Sequence, residues 1–95
     1  MTIDTHLLFQ EKPIMNEIIR LPKWGDDMTE GEIGEWHVRC GDYVAKGDPL
    51  VTIEIEKTSV EIESTVSGTV VSTESEVGEI IPVGSVIARI ETDEG

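Results

Sequence analysis

Four kinds of side chain here could do chemistry: one thiol, two imidazoles, twenty carboxylates and four primary amines. Cys40 has no histidine placed beside it by any pattern, so it reads as a small residue near a strand end. His6 and His37 are far apart in sequence and show no metal-ligand spacing. The carboxylates Glu54, Glu56, Glu61 and Glu63 alternate with apolar residues and read as solvated strand faces, and no residue looks like a general acid or base. That leaves the amines of Lys12, Lys23, Lys46 and Lys57. Lys57 is set apart by its frame, Val51-Thr-Ile-Glu-Ile-Glu-Lys-Thr-Ser-Val-Glu-Ile-Glu63.

On one side of Lys57, Val51, Ile53 and Ile55 alternate with Thr52, Glu54 and Glu56. On the other, Val60 and Ile62 alternate with Ser59, Glu61 and Glu63. Period-2 alternation on both arms predicts two strands, each with one buried face. A reversal of about two residues must join them, and Lys57 with Thr58 is expected at its tip. Ordinarily a turn lysine is merely solvated. Lys46 is the comparison, since it too falls at a turn, but no strand pair displays it. A displayed amine suits acylation by a long cofactor. The cofactor would bring the chemistry and the protein the position, and a tether would raise the local concentration of the reactive group at each partner.

The elements around this hairpin read as short strands. Glu17–Leu21 comes first, then a loop from Lys23 to Gly31, then Glu32–Arg39. Ile33 is out of register with Trp36 and Val38, so a bulge is expected at Gly34. Turns follow at Gly41-Asp42 and Lys46–Pro49, flanking Tyr43-Val44. After the hairpin come Thr69–Ser72, Glu79–Ile81 and Val86–Ile90. No stretch resembles a helix of useful length, and about eight strands predict an all-β sandwich or flattened barrel.

An internal repeat organises these strands. Gly41-Asp-Tyr-Val-Ala-Lys-Gly47-Asp-Pro-Leu-Val-Thr-Ile-Glu54 aligns without gaps on Gly78-Glu-Ile-Ile-Pro-Val-Gly84-Ser-Val-Ile-Ala-Arg-Ile-Glu91, at an offset of 37 residues. Two similar halves related by a pseudo-two-fold axis follow. In this repeat the counterpart of Lys46 is Val83. The first half runs on into the Lys57 hairpin where the second half reaches Thr92 to Gly95, so tip and chain end are expected at opposite ends of the domain.

At 95 residues the chain is expected to hold one domain over residues 16–91. Residues 1–15 fit no repeat and read as an extension, and residues 92–95 as a tail or linker start. A chain this short has little material for a deep catalytic pocket. The net charge of −13 repels nucleic acid and anionic membrane surfaces, and suits docking to basic protein patches. No apolar run reaches membrane-spanning length and no signal-peptide pattern is present. The lone cysteine fits a reducing compartment.

Residues 16–91 resemble a lipoyl domain of the 2-oxo acid dehydrogenase complexes, in the biotin/lipoyl attachment family. The resemblance is carried by Leu21-Pro-Lys-Trp-Gly-Asp-Asp-Met-Thr-Glu-Gly31, by Gly41-Asp-Tyr-Val-Ala-Lys-Gly-Asp-Pro-Leu50, by Ile53-Glu-Ile-Glu-Lys-Thr-Ser-Val-Glu-Ile62, by Ser67-Gly-Thr-Val70 and by Val83-Gly84. It implies two four-stranded antiparallel sheets with pseudo-two-fold symmetry, a barrel-sandwich hybrid. It also implies lipoate in amide linkage to Lys57 as a swinging arm, with no catalysis by the isolated domain. Implied partners are a lipoate ligase or lipoyl transferase, a thiamine-diphosphate-dependent decarboxylase, a flavin dihydrolipoyl dehydrogenase and an acyltransferase core. The setting would be the bacterial cytoplasm or the mitochondrial matrix. Trp24 looks like the acetoin-dehydrogenase type of acyltransferase. Glu54, Glu56, Thr58 and Glu61, with the loop from Trp24 to Met28, are the candidates for tip and partner recognition. Glu56 stands where the family usually has Asp, and Thr58 where it has Ala. Biotin carriers share the fold but usually set their lysine between two methionines, whereas Lys57 lies between Glu56 and Thr58. A structural hybrid domain without a prosthetic group is the third reading.

Overall fold

The computed structural model describes residues 15–92. The extension expected over residues 1–15 lies outside the described residues except for Met15, and the tail except for Thr92. The described residues form eight strands: β1 (Asn16–Arg20), β2 (Glu30–Trp36), β3 (Tyr43–Val44), β4 (Pro49–Ile55), β5 (Thr58–Glu63), β6 (Gly68–Thr73), β7 (Ile80–Pro82) and β8 (Val86–Thr92). They make two antiparallel four-stranded sheets, in the orders β1-β8-β6-β3 and β5-β4-β2-β7. The sheets pack face to face and do not close into a barrel. Most strand ends shift by one or two residues from the sequence reading, and β2 shifts most. β2 begins at Glu30, because Glu30 and Gly31 pair with Pro82 and Ile81, and it ends at Trp36.

The repeat is a true pseudo-two-fold. Exchanging β1 with β5, β8 with β4, β6 with β2 and β3 with β7 turns one sheet order into the other. The expected bulge falls between Ile33 and Glu35, and its counterpart between Val70 and Ser72. The core follows the same rule. By the repeat, Ile33 corresponds to Val70, Val44 to Ile81, Leu50 to Ile87, Val51 to Ala88, Ile53 to Ile90 and Ile19 to Ile62, all buried. Leu21 alone has no apolar counterpart, and its equivalent, Ser64, is buried too. Each large aliphatic side chain so buried contributes about 1.5–3 kcal/mol, and the two halves bury theirs in one common cluster.

Symmetry also fixes what is special about the β4–β5 connection. The equivalent of its turn is the place where β8 passes the start of β1, with Asn16 opposite Glu91 and Thr92 donating its N–H to the Met15 carbonyl at 2.9 Å. One end of the pseudo-symmetric pair is a closed turn carrying Lys57, and the other is where the chain enters and leaves.

Candidate functional site

The β4–β5 ladder runs from Pro49↔Glu63 to Ile55↔Thr58. Its inward residues Val51, Ile53 and Ile62 are buried in the core, so the hairpin is anchored by packing as well as by its ladder. The register leaves Glu56 and Lys57 as a two-residue turn. Thr58, expected at the tip beside Lys57, instead opens β5 opposite Ile55. Glu56 takes φ = +51°, the one positive φ outside glycine among the described residues. Positive φ at the first turn position alone is the φ pattern of a II′ turn, whose backbone twist suits a hairpin. The cost is a left-handed residue with a Cβ. Lys57 is exposed and enters no side-chain hydrogen bond or ion pair recorded among the described residues. Its amine is an uncommitted nucleophile once it loses a proton.

Glu54 is held in place. Its carboxylate accepts the Ser59 hydroxyl at 2.8 Å across the ladder. It lies over Gly34, where a Cβ would sit 2.9 Å from its Oε2. The glycine that makes the bulge thus also leaves room for the acid behind the tip. Glu61 stands further along β5, opposite Thr52 and 3.8 Å from Nε2 of His37, which also contacts the Thr52 hydroxyl at 2.8 Å. Glu61 therefore belongs to the middle of the outer sheet face.

Two grooves flank the hairpin. The first, of about 270 Å³, is walled by residues 27–32, by Glu54, Ile55 and Glu56, and by Ile80. Met28 and Ile55 form its apolar floor against the core, Ile80 is 59% exposed, and Asp27, Glu30, Glu32, Glu54 and Glu56 rim it. The second, of about 280 Å³, runs between the edge strands β1 and β5 and is lined by Ile18, Trp24 and Ile62 among others. Trp24 therefore lines the second groove, while Met28, from the same loop, lines the one beside the tip. The Trp24 N–H reaches the Met28 sulfur at 3.3 Å and ties the two grooves together.

Of the expected residues, Glu54, Glu56 and Lys57 come together, while Glu61 and Trp24 lie elsewhere. The sequence reading missed Ile80, Glu30 and Glu32. A signal existed for Ile80, since adjacent Ile80 and Ile81 cannot both face the core of a strand. Among the described residues no group of His, Cys, Asp or Glu could hold a metal ion, and no helix is long and apolar enough to cross a membrane.

Comparison with known proteins agrees with this architecture. A family model described as "Biotin-requiring enzyme" (Biotin_lipoyl) matches residues 17–90. The lipoamide acyltransferase component of the branched-chain α-keto acid dehydrogenase complex of Bacillus subtilis is 36% identical over 77 residues, 81% of this chain and 18% of that protein. The dihydrolipoyllysine-residue acetyltransferase component of the pyruvate dehydrogenase complex of Staphylococcus aureus is 43% identical over 72 residues, 76% of this chain and 17% of that protein. The chain thus spans under a fifth of the length of these relatives. Among solved structures, the lipoyl domain of the 2-oxoglutarate dehydrogenase complex of Azotobacter vinelandii superposes with a TM-score of 0.67 at 22% identity, covering 82% of this chain and 98% of that one. Urea carboxylase of Kluyveromyces lactis gives a TM-score of 0.70 at 26% identity, covering 82% of this chain and 6% of that one.

Proposed function

This chain belongs to the Biotin_lipoyl family, and from that premise we propose that it is a lipoyl carrier whose prosthetic group is joined by an amide to Lys57. The observation that carries the reading is the uncommitted Lys57 amine on a two-residue turn at the end of a core-anchored hairpin. When attached, lipoate supplies a dithiolane able to carry an acyl group and two electrons between active sites. The residues of the chain do the rest. The hairpin holds Nζ clear of the sheets, and acylation removes the lysine's positive charge. The tip is then left with Glu54 and Glu56 uncompensated, an acidic surface suited to basic patches on partners. Glu56 and Thr58 flank the amine with a carboxylate and a small hydroxyl. Neither is a thioether, which favours lipoate over biotin.

The relatives are acyltransferase components of dehydrogenase complexes. On that likeness we assign this domain to a dihydrolipoyl acyltransferase. Its arm would visit a thiamine-diphosphate-dependent decarboxylase, the acyltransferase core and a dihydrolipoyl dehydrogenase, after loading by a lipoate ligase or lipoyl transferase. The domain itself would be a carrier without a catalytic residue, working in the bacterial cytoplasm or mitochondrial matrix where such complexes act.

Intact-mass analysis tests the assignment. Incubation with lipoate ligase, lipoate and ATP should add one lipoyl group, and Lys57→Arg should abolish the gain. A gain that persists in Lys57→Arg would displace the site. A gain only with biotin ligase would replace the cofactor, and no gain with either enzyme would favour a structural domain.

A further inference from the structure

Gly34 has no backbone reason to be glycine. The glycines with positive φ among the described residues are Gly41, Gly47, Gly78 and Gly84, and Gly34 is not one of them. Nor does the bulge require it. By the repeat, the equivalent bulge between Val70 and Ser72 is made with Val71, a β-branched residue that is 37% exposed. What Gly34 does is leave a space, and the side chain of Glu54 fills it. A Cβ there would stand 2.9 Å from Oε2 and 3.0 Å from Cγ of Glu54. The other carboxylate oxygen, Oε1, accepts the hydroxyl of Ser59 at 2.8 Å, from the position directly opposite on β5. The repeat equivalents of Glu54 and Ser59 are Glu91 and Asn16, paired where the chain enters and leaves. The glycine and the hydroxyl thus occur together in the half that carries the turn.

We propose that Ser59 and Gly34 are positioning residues for the loading of Lys57, a reading that rests on the lipoyl-carrier function above. They fix the carboxylate of Glu54 as a docking point for a cationic group of the enzyme that acylates the amine. Glu32, opposite Glu54 on β2, adds a second carboxylate for the same cation. Between Glu54 and Lys57 lie only the last ladder pair, Ile55↔Thr58, and the first turn residue. An enzyme that grips the carboxylate therefore has the amine placed for it. Glu56 is nearer in sequence, but it enters no side-chain hydrogen bond or ion pair among the described residues. Its side chain must be ordered on docking, whereas that of Glu54 is ordered beforehand.

Freeing the Glu54 side chain should weaken docking by about 2- to 10-fold, the cost of ordering one such group. The loss falls on binding and not on the chemical step. It should therefore appear in KM and leave kcat as it is.

Steady-state kinetics of lipoate ligase, with the 95-residue chain as the varied substrate, test this. Ser59→Ala should raise KM for the domain by about 2- to 10-fold at unchanged kcat. Ser59→Thr, which keeps the hydroxyl, should restore the wild-type KM. Gly34→Ala should raise KM as well, although its Cβ also comes within 3.2 Å of the Thr52 carbonyl, so Ser59→Ala is the deciding variant. In a Glu54→Ala background Ser59→Ala should add nothing, because no carboxylate is left to position. Ser59 is exposed, so Ser59→Ala should keep the wild-type Tm, which a role in stability would lower. A wild-type KM in Ser59→Ala would overturn the proposal and leave the carrier reading standing. So would a rise in KM that Ser59→Thr does not rescue or that persists in the Glu54→Ala background. Absence of a lipoyl mass gain on the wild-type chain would overturn both.

Discussion

Gly47 and Gly84 hold the same left-handed backbone conformation, with φ of +97° and +92°, and each donates its N–H to the carbonyl just past an edge strand. Gly47 bonds Ser64 at 2.8 Å and Gly84 bonds Leu21 at 2.9 Å. Each lies in the connection that carries the chain from one sheet to the other and ties it to the end of the edge strand beside the strand that follows, β5 beside β4 and β1 beside β8. The pair is repeated at Gly41 and Gly78, which bond Val70 and Ile33 at 2.7 and 2.8 Å.

The glycines should consequently differ in what alanine costs. At Gly47 and Gly84 a Cβ meets nothing within 4 Å. Only backbone strain is charged there, about 1–2 kcal/mol for each. For a domain of this size each kcal/mol lowers Tm by about 4–8 °C. Gly31→Ala should cost more, because its Cβ would lie 2.7 Å from Ile53 Cγ2 in the core. Gly68→Ala should cost most, because its Cβ would collide with the backbone carbonyl of Glu91, which cannot rotate away. Thermal melts of the four variants check the order.

Glu56 stores strain at the tip. Asparagine tolerates positive φ better than glutamate, so Glu56→Asn should stabilise the domain by up to about 1 kcal/mol. Glu56→Val, β-branched at φ = +51°, should destabilise it. Urea denaturation measures both. Lipoylation rates should fall in Glu56→Val, because the turn that aims Lys57 is distorted.

Trp36 secures the inner end of β2. Its indole N–H donates to the Ser75 carbonyl at 2.9 Å, and its ring packs against the core. Trp36→Phe keeps most of the ring and loses the hydrogen bond, so stability should fall by about 1 kcal/mol. Because Trp24 is exposed, the fluorescence left in this variant should be red-shifted relative to wild type.

The fold alters the titration of Glu74. Its carboxyl is held below the ordinary value first by the Ser72 hydroxyl at 2.7 Å and then by Arg89 at 3.4 Å, with desolvation opposing. A lowered folded-state pKa contributes stability that is present above the unfolded value. It is lost as pH falls through the folded value. Carbon-detected NMR titration should place Glu74 below the ordinary glutamate value, and Ser72→Ala should move it back up. Glu74→Gln should make stability less dependent on pH in that acid window.

Much of this was legible in the chain. Alternation from Val51 to Ile55 and from Val60 to Ile62 is local, and its period of two assigned both strands and their buried faces. The 37-residue repeat carried the pseudo-symmetry, because equivalent glycines are demanded by equivalent turns. Lys57 stood out for the same reason, as the turn present in one half only.

The rest needed the tertiary structure. Which two residues occupy the tip depends on the ladder register between β4 and β5, a non-local pairing that placed Glu56 there in place of Thr58. The sequence assigned Trp24 and Met28 to one loop, but the packing of that loop across both sheets sent them to different grooves. Ile80 reached the neighbourhood of Lys57 through β2, which pairs with β7 on one side and β4 on the other. Side-chain period is a property of one strand and can be read from it. A groove belongs to several strands and exists only once they have found each other.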